Sequence, residues 1–236
     1  MDNLFFPQYP VKRTKSVHTP GTESEDGTRV MYFDPFATRL EWQLSYRALK
    51  ESEMLQLQAL FDACRGRFRS FSFLDPIGNL LSGSWQLGPH IQRSGSVYNN
   101  TGNAPEEVSQ TLAIPTNYVY TFSLFSAVSD ADSNVTLVRR GQTTEHADVL
   151  QIVEGRLVSS GALSEVATGF TAAVRLNPGQ SIDLERAQLE AQPGPGDFRA
   201  ATGGVYTNAH WAVDQLIFSA DALDSFSTSF SIEAKV

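Results

Sequence analysis

Between Lys50 and Lys235 the sequence contains no lysine at all, and over its full 236 residues acidic side chains outnumber basic ones 26 to 18, for a net charge of −8. A polyanion-binding face needs a basic surplus, so the balance argues against nucleic acid or an anionic membrane surface as the main partner. Cysteine is almost missing. The single Cys64 excludes a disulfide framework, and His18, His90, His146 and His210 show none of the pair spacings that a zinc site uses. Cys64 falls on the apolar side of an amphipathic segment, where a buried thiol behaves as a small hydrophobe. Long apolar runs are absent too. No stretch approaches the roughly 18 apolar residues of a membrane span. The opening MDNLFFPQYP has no cationic segment leading into an apolar run. The expectation is a chain made soluble in the cytosol, with no membrane insertion.

The constellations of catalysis are also missing. There is no G-x-S-x-G elbow, no glycine-rich phosphate loop, no H-E-x-x-H, and no Cys/His pair with a third partner. Paired acids occur at Glu106-Glu107 and at Asp130/Asp132, but a glycosidase needs its two carboxylates across a cleft, and neighbours in sequence are ordinarily solvated loop charges. The sequence predicts no enzyme, no cofactor and no resident metal. DADSN (130–134) begins like a calcium loop and then departs from it, with Val135 where the turn glycine belongs and Gly141 where the bidentate glutamate belongs. A polar hairpin loop and an irregular calcium site are its two readings.

What the sequence does have is apolar and aromatic content, 41% and 11%, ample for packed cores in two domains. Residues 39–48, RLEWQLSYRA, alternate strictly, with Leu40, Trp42, Leu44, Tyr46 and Ala48 on one face, as a half-buried strand does. The period then changes. Met54, Leu57, Leu60, Phe61 and Cys64 form one helical stripe over about 52–65, with Ser52 as N-cap and Gly66 as left-handed C-cap. Beyond Gly66 the alternation returns, sending Phe71 and Phe73 to one side until Asp75-Pro76 and Gly78-Asn79 supply turn chemistry. Arg65, Arg67 and Arg69 are candidates for an inter-subunit row or a solvated face, with a phosphate site as the alternative.

From 84 to 200 the segments YVYTFSLF (118–125), NVTLVRR (134–140), VLQIVEG (149–155), GFTAAVRL (169–176) and SIDLERAQLE (181–190) are short, alternating and bounded by turn residues, with no helix between them. That pattern predicts a β-sandwich of jelly-roll type. AQPGPGDF (191–198) reads as a linker-like loop, and VYTNAHWAVDQLIFS with SFSTSFSIEAKV as two closing strands. A pair so short cannot bury itself and must complete a sheet elsewhere, which makes 84–200 an insertion into a module formed by 1–83 and 201–236. The fold expected is therefore mainly β: a small β-rich module with one α-helix, split by an inserted jelly-roll-like β-sandwich. Within the sandwich, Trp85 and Tyr98, with Asn99 and Asn100 beside them, are the candidates for sugar stacking and hydroxyl binding, whereas Tyr118, Tyr120 and Phe122 share one face and read as core.

Several of these features together resemble a known family. They are Phe6-Pro7, the Gly21/Glu23 segment with Arg29, RLEWQLSYRAL, LQALFDACRGRFRSFSFLDPIGN and the closing HWAVDQLIFSADALDSFSTSFSIEAKV with Asp214-Gln215-Leu216. They are similar to phage distal tail proteins, the tail-tip and baseplate-hub group of siphophages and gene transfer agents. The resemblance covers about 1–82 and 203–236. Its departures are TPGTESEDGTRV, longer than the family's segment there, and the sandwich in mid-chain. The sandwich, with Gln188-Leu189-Glu190 before its exit loop, looks like the carbohydrate-binding-module jelly rolls that tail proteins carry. The resemblance implies a structural virion protein made in the host cytoplasm and built into the tail tip. It would assemble as a homo-oligomeric ring, a hexamer, between the tail tube protein and the hub and tip proteins. The alternative is a receptor-binding protein whose sandwich grips a host surface glycan.

Overall fold

The computed structural model describes residues 7–125, 135–200 and 203–236. The chain divides into two compact units, one of residues up to Phe73 together with Tyr206–Val236, the other of Leu74–Val205. Phe6 and the acidic run 130–134 lie outside the described residues.

The first unit opens with β1 (Gln8–His18), which pairs antiparallel with β4 (Asp34–Leu49); between them β2 (Gly21–Glu23) and β3 (Arg29–Met31) form a hairpin. The long TPGTESEDGTRV segment is thus an arm with its own ladder, Glu23 facing Arg29, turned by Gly27 at φ +82°. At its tip the Thr28 N–H, donating to Asp26 Oδ1 at 3.0 Å, holds the Asp26 carboxyl below its ordinary pKa.

Helix α1 (Glu51–Cys64) buries Leu57 and Cys64 and half-buries Met54, Leu60 and Phe61. Its caps differ from those expected. The N-cap is Lys50, not Ser52, because Glu53 Oε2 reaches back to the Lys50 N–H at 2.8 Å and Asp224 Oδ1 takes the Glu51 N–H at 2.7 Å. The C-cap is Arg65, at φ 55°, with Gly66 following at φ +60° in a single 3-10 turn. Gly66 is required there for a second reason, since a Cβ on it would meet Asp214 Oδ1 at 3.1 Å. The turn delivers the chain into β5 (Phe71–Leu74), where Phe71 and Phe73 are buried.

The second unit contains β6 (Gln86–Leu87), β7 (Ile91–Ser94), β8 (Val97–Asn100), β9 (Glu106–Pro115), β10 (Tyr120–Leu124), β11 (Thr136–Arg140), β12 (Glu145–Val149), β13 (Gln151–Val153), β14 (Arg156–Gly161), β15 (Thr168–Leu176), β16 (Ser181–Asp183) and β17 (Ala187–Glu190). They form sheets ordered β12-β11-β15-β9-β6 and β13-β14-β10-β17, with a smaller sheet β16-β8-β7. Val108, Phe170 and Val174 from one large sheet and Tyr120, Phe122 and Leu189 from the other enter one core, and the Tyr120 and Phe170 rings meet at 4.7 Å. This is a β-sandwich. Two expected strands are broken. The 181–190 segment turns at Leu184–Arg186, where Asp183 Oδ1 accepts the Glu185 N–H, and the 149–155 segment leaves β12, passes through Leu150 and forms β13. Glu154 and Gly155, both at positive φ, then make the two-residue hairpin loop to β14.

The unit's limits lie outside 84 and 200 because Leu74, Leu80 and Leu81 belong to the sandwich core. The outgoing and returning chains run side by side, Asp75 N–H donating to Gly204 O at 3.0 Å and Gly203 N–H to Asn79 O at 3.1 Å. The 191–198 loop is pinned rather than free: Ala191 and Gln192 are buried, Gln192 O accepts from Thr121 Oγ1 at 2.6 Å, and Glu190 Oε2 accepts the Gly196 N–H at 2.8 Å.

The returning chain supplies β18 (Val205–Trp211), β19 (Ser219–Ala222) and β20 (Ser225–Lys235) to the first sheet, ordered β1-β4-β20-β18-β5 with β19 also on β20. Inward side chains of β4 and β20 meet an aromatic cluster: Trp211 lies 4.5 Å from Phe230 and 5.1 Å from Phe61, and Trp42 lies 4.9 Å from Phe73. The alternation of β4 holds through Tyr46 and then fails. Ala48 is exposed at φ 54°, and the register moves between Phe226↔Leu49 and Thr228↔Tyr46, giving β4 one residue more than β20. This bulge turns Leu49 inward in place of Ala48.

Two consequences are measurable by chemical denaturation. Phe73→Ala is expected to destabilise the protein by about 3–5 kcal/mol, the usual cost of deleting a buried phenylalanine. Arg65→Gly is expected to stabilise it by up to about 1 kcal/mol, because the left-handed cap then costs no Cβ clash.

Candidate functional site

Two surface depressions and a buried polar cluster stand out in the second unit. The first depression, of about 430 Å³, lies where β8 and β17 meet the Trp85 and Phe198 loops. Its floor is apolar, Leu81, Leu184 and Ala187, with Tyr98 turned inward by the β7–β8 pairing that sets it opposite Arg93. Trp85 and Phe198 are half-buried walls. Arg93 stands 5.5 Å over the Tyr98 ring and is held by its Nε bond to Gly95 O at 2.8 Å, and Glu185 supplies an exposed carboxylate. Beside the groove, Arg186 lies between Phe125 at 4.2 Å and Phe198 at 5.1 Å, while Arg156 covers Phe125 at 4.0 Å. Stacked guanidinium and ring planes of this kind are rigid and present flat, amphipathic surfaces.

Of the sugar-contact candidates, Trp85 and Tyr98 do come together in this groove. Asn100 does not: it is fully buried, its amide donates to Ala104 O at 2.8 Å and Leu176 O at 2.9 Å, and its Oδ1 accepts the Gly102 N–H at 2.9 Å. Strand parity explains this, since Tyr98 and Asn100 share the inward face of β8, and an inward amide must satisfy itself within the domain. Asn79, also on the groove, is spent in the same way on Ala187 O, Arg199 O and the Leu81 and Leu189 N–H groups.

The second depression, about 620 Å³, is polar and lies at the β6–β9 side of the five-stranded sheet. Gln86, Glu106, Glu107, Ser109 and Arg175 line it. Glu106 is engaged by His90 Nδ1 at 2.8 Å, and Glu107 by Arg175 Nη2 at 2.7 Å and Arg140 Nη2 at 3.1 Å. Glu145 completes a four-charge lattice on the outer sheet face, bonded to Arg140 Nε at 2.8 Å and Arg175 Nη2 at 3.2 Å. The hydrogen bond from Arg140 holds the Glu145 carboxyl below its usual range, and the Glu145 and Glu107 bonds hold both guanidiniums more firmly protonated. The lattice fixes the face; each acid already has its cation.

The buried cluster was legible in outline and overlooked. In NVTLVRR the inward positions are Val135, Leu137 and Arg139, so one charge points into the sandwich. Arg139 is 3% exposed, pairs through Nη2 with Asp148, and has no partner for Nε or Nη1 among the described residues. Asp148 also accepts from Ser159 Oγ at 3.1 Å and meets His146 Nε2 at 2.9 Å. Burial lowers the Arg139 pKa, because the charged form loses its hydration.

In the first unit, Arg65, Arg67 and Arg69 are exposed but do not form a strand-edge row, since Arg65 is a left-handed cap and Arg67 lies in the 3-10 turn. Arg67 reaches Glu233 at 3.7 Å, and its N–H donates to Asp214 Oδ1 at 3.3 Å. Among the described residues no group of three or more His, Cys, Asp or Glu side chains is placed to hold a metal, and no helix is long and apolar enough to cross a membrane. No family model matches the chain, and no curated protein matches it significantly.

Two outcomes follow for the sandwich. Asp148→Ala leaves Arg139 buried without its counter-ion and is expected to cost about 3–5 kcal/mol, whereas Arg139→Met is expected to be neutral or stabilising; urea unfolding of the two variants distinguishes them. The Glu145 contribution is fully present above the unfolded carboxylate pKa of about 4.3 and is lost as pH falls through the lower folded value. Glu145→Gln is therefore expected to flatten the acid limb of the stability curve below about pH 5.

Proposed function

We propose that the chain is a structural virion protein of a phage tail tip, a distal tail or baseplate-hub component that assembles as a ring, a hexamer, between the tail tube protein and the hub. The observation that carries this reading is the arm of the first unit. Met31, Tyr32, Phe33 and Phe36 are all exposed, Phe36 to 86%, along a hairpin and strand start that contribute nothing to the unit's own core. An uncovered run of large apolar side chains is what an assembly contact looks like in a separated subunit. β1 adds an edge of 11 residues with, among the described residues, a ladder partner on one side only. The left-handed Arg65-Gly66 helix corner, the Phe71/Phe73 strand and the Asp214 loop that braces Gly66 are the features that support the distal tail pattern. Immunogold labelling of tailed particles with antibody to the sandwich is expected to mark the tail tip. Label on the capsid, or particles without this chain, overturns the proposal.

A second reading, a receptor-binding protein, is favoured by one observation: Trp85 and Tyr98 share a groove with Phe198, Arg93 and Glu185. Aromatic walls with charged groups at the rim suit the apolar face and hydroxyls of a sugar. A glycan array probed with the full chain is expected to give signals that Trp85→Ala abolishes; an array without such signals removes this reading.

A further inference from the structure

We infer that the arm of one copy docks on the helix corner of the next, its acidic tip against the arginines and its aromatic base against Phe68. This inference rests on the assembly reading and adds to it the identity of the two faces. On the donor side, every residue of β2 and β3 is exposed, the tip carries Glu23, Glu25 and Asp26, and Phe33 and Phe36 follow at the base. On the acceptor side, Phe68 is 74% exposed between Arg67 and Arg69, with Arg65 at the cap. Among the described residues no carboxylate of the same chain pairs with Arg65 or Arg69, while Arg67 has only the long contact to Glu233 at 3.7 Å. The corner sets three arginines around Phe68 against the carboxylates of Asp214 and Glu233, a net cationic aromatic patch in a chain of net charge −8, and the arm, whose three acids face the single Arg29, is its complement in sign and apolarity.

The topology gives these faces a direction. The arm springs from the β1–β4 edge of the first sheet, and the corner leads into β5 at the opposite edge. A two-fold pairing would need each copy's arm and corner on one shared face, and here they lie at opposite edges of the sheet. They make a head-to-tail contact, which repeats and closes when the rotation per copy divides the circle. The exposed rings supply most of the affinity, since exposed ion pairs are individually weak, and the charges set orientation and register. Guanidiniums stacking on Phe33 and Phe36 would join the two terms.

A charge exchange tests the contact in the full-length chain, with mass read by light scattering across a concentration series. The wild type is expected to associate. E23R/E25R on the arm, and R65E/R69E on the corner, are each expected to run at monomer mass with unchanged circular dichroism. The chain carrying all four substitutions, or an equimolar mixture of the two reversed chains, is expected to return to the oligomer mass. Phe36→Ser removes apolar contact without altering charge and is expected to give the monomer as well, which keeps the test decisive should either reversal perturb its hairpin or cap. Association that survives both reversals, or that the exchange fails to restore, overturns the arm-to-corner contact and leaves assembly standing. A wild-type chain that stays monomeric at every concentration overturns the assembly reading with it.

Discussion

Everything in the first unit waits on the ladder between β4 and β20. Trp42 pairs with Ile232 and Leu44 with Phe230, so the aromatic core beneath α1 closes only after the whole sandwich has been synthesised and the chain has come back. Such pairing joins segments from opposite sides of the whole insertion, and the loop entropy must be met before the contacts repay it. The sandwich eases the return. The Asp75 N–H bond to Gly204 O and the Gly203 N–H bond to Asn79 O hold its two connections to the first unit side by side. The sandwich is thus a clamp on the first sheet's connectivity, and an insertion with adjacent ends interrupts a parent sheet at little cost.

The two units divide the chemistry between them. The first holds the exposed aromatic arm, the arginine corner and the β1 edge, the features on which the proposed assembly rests. The second keeps its polar groups paired: Glu107 and Glu145 with Arg140 and Arg175, Glu190 with the 191–198 loop, Asn79 and Asn100 with backbone. Arg139 and Ser123 depart from that economy, with two guanidinium nitrogens and a hydroxyl left unpartnered among the described residues.

Much of this was readable from residue patterns, and the failures have physical causes. Alternation located β4 because one face of a half-buried strand must be apolar, but nothing in LSYRAL announces that Ala48 takes a left-handed bulge, since the bulge is imposed by the β20 register. The helix stripe was legible; its caps were not, because Asp224, far along the chain, supplies one N-terminal acceptor and Arg65 accepts the strained cap normally left to glycine. Breaks at Leu150 and Leu184 were invisible to hydropathy, as both leucines remain buried where the chain turns. For the groove, sequence pointed to Trp85 and Tyr98 but could not say that Asn100, two residues from Tyr98, shares its inward face. Phe198 and Arg93 reach the same groove only through tertiary structure. The 130–134 acidic run lies outside the described residues.

The most direct measurement is electron cryo-microscopy of the purified full-length chain at high concentration. Closed particles with sixfold symmetry, in which the copies touch through residues of the first unit, are the expected result. Monomers alone, open filaments, or closed particles held together by sandwich-to-sandwich contacts with the first units apart would contradict the assembly reading.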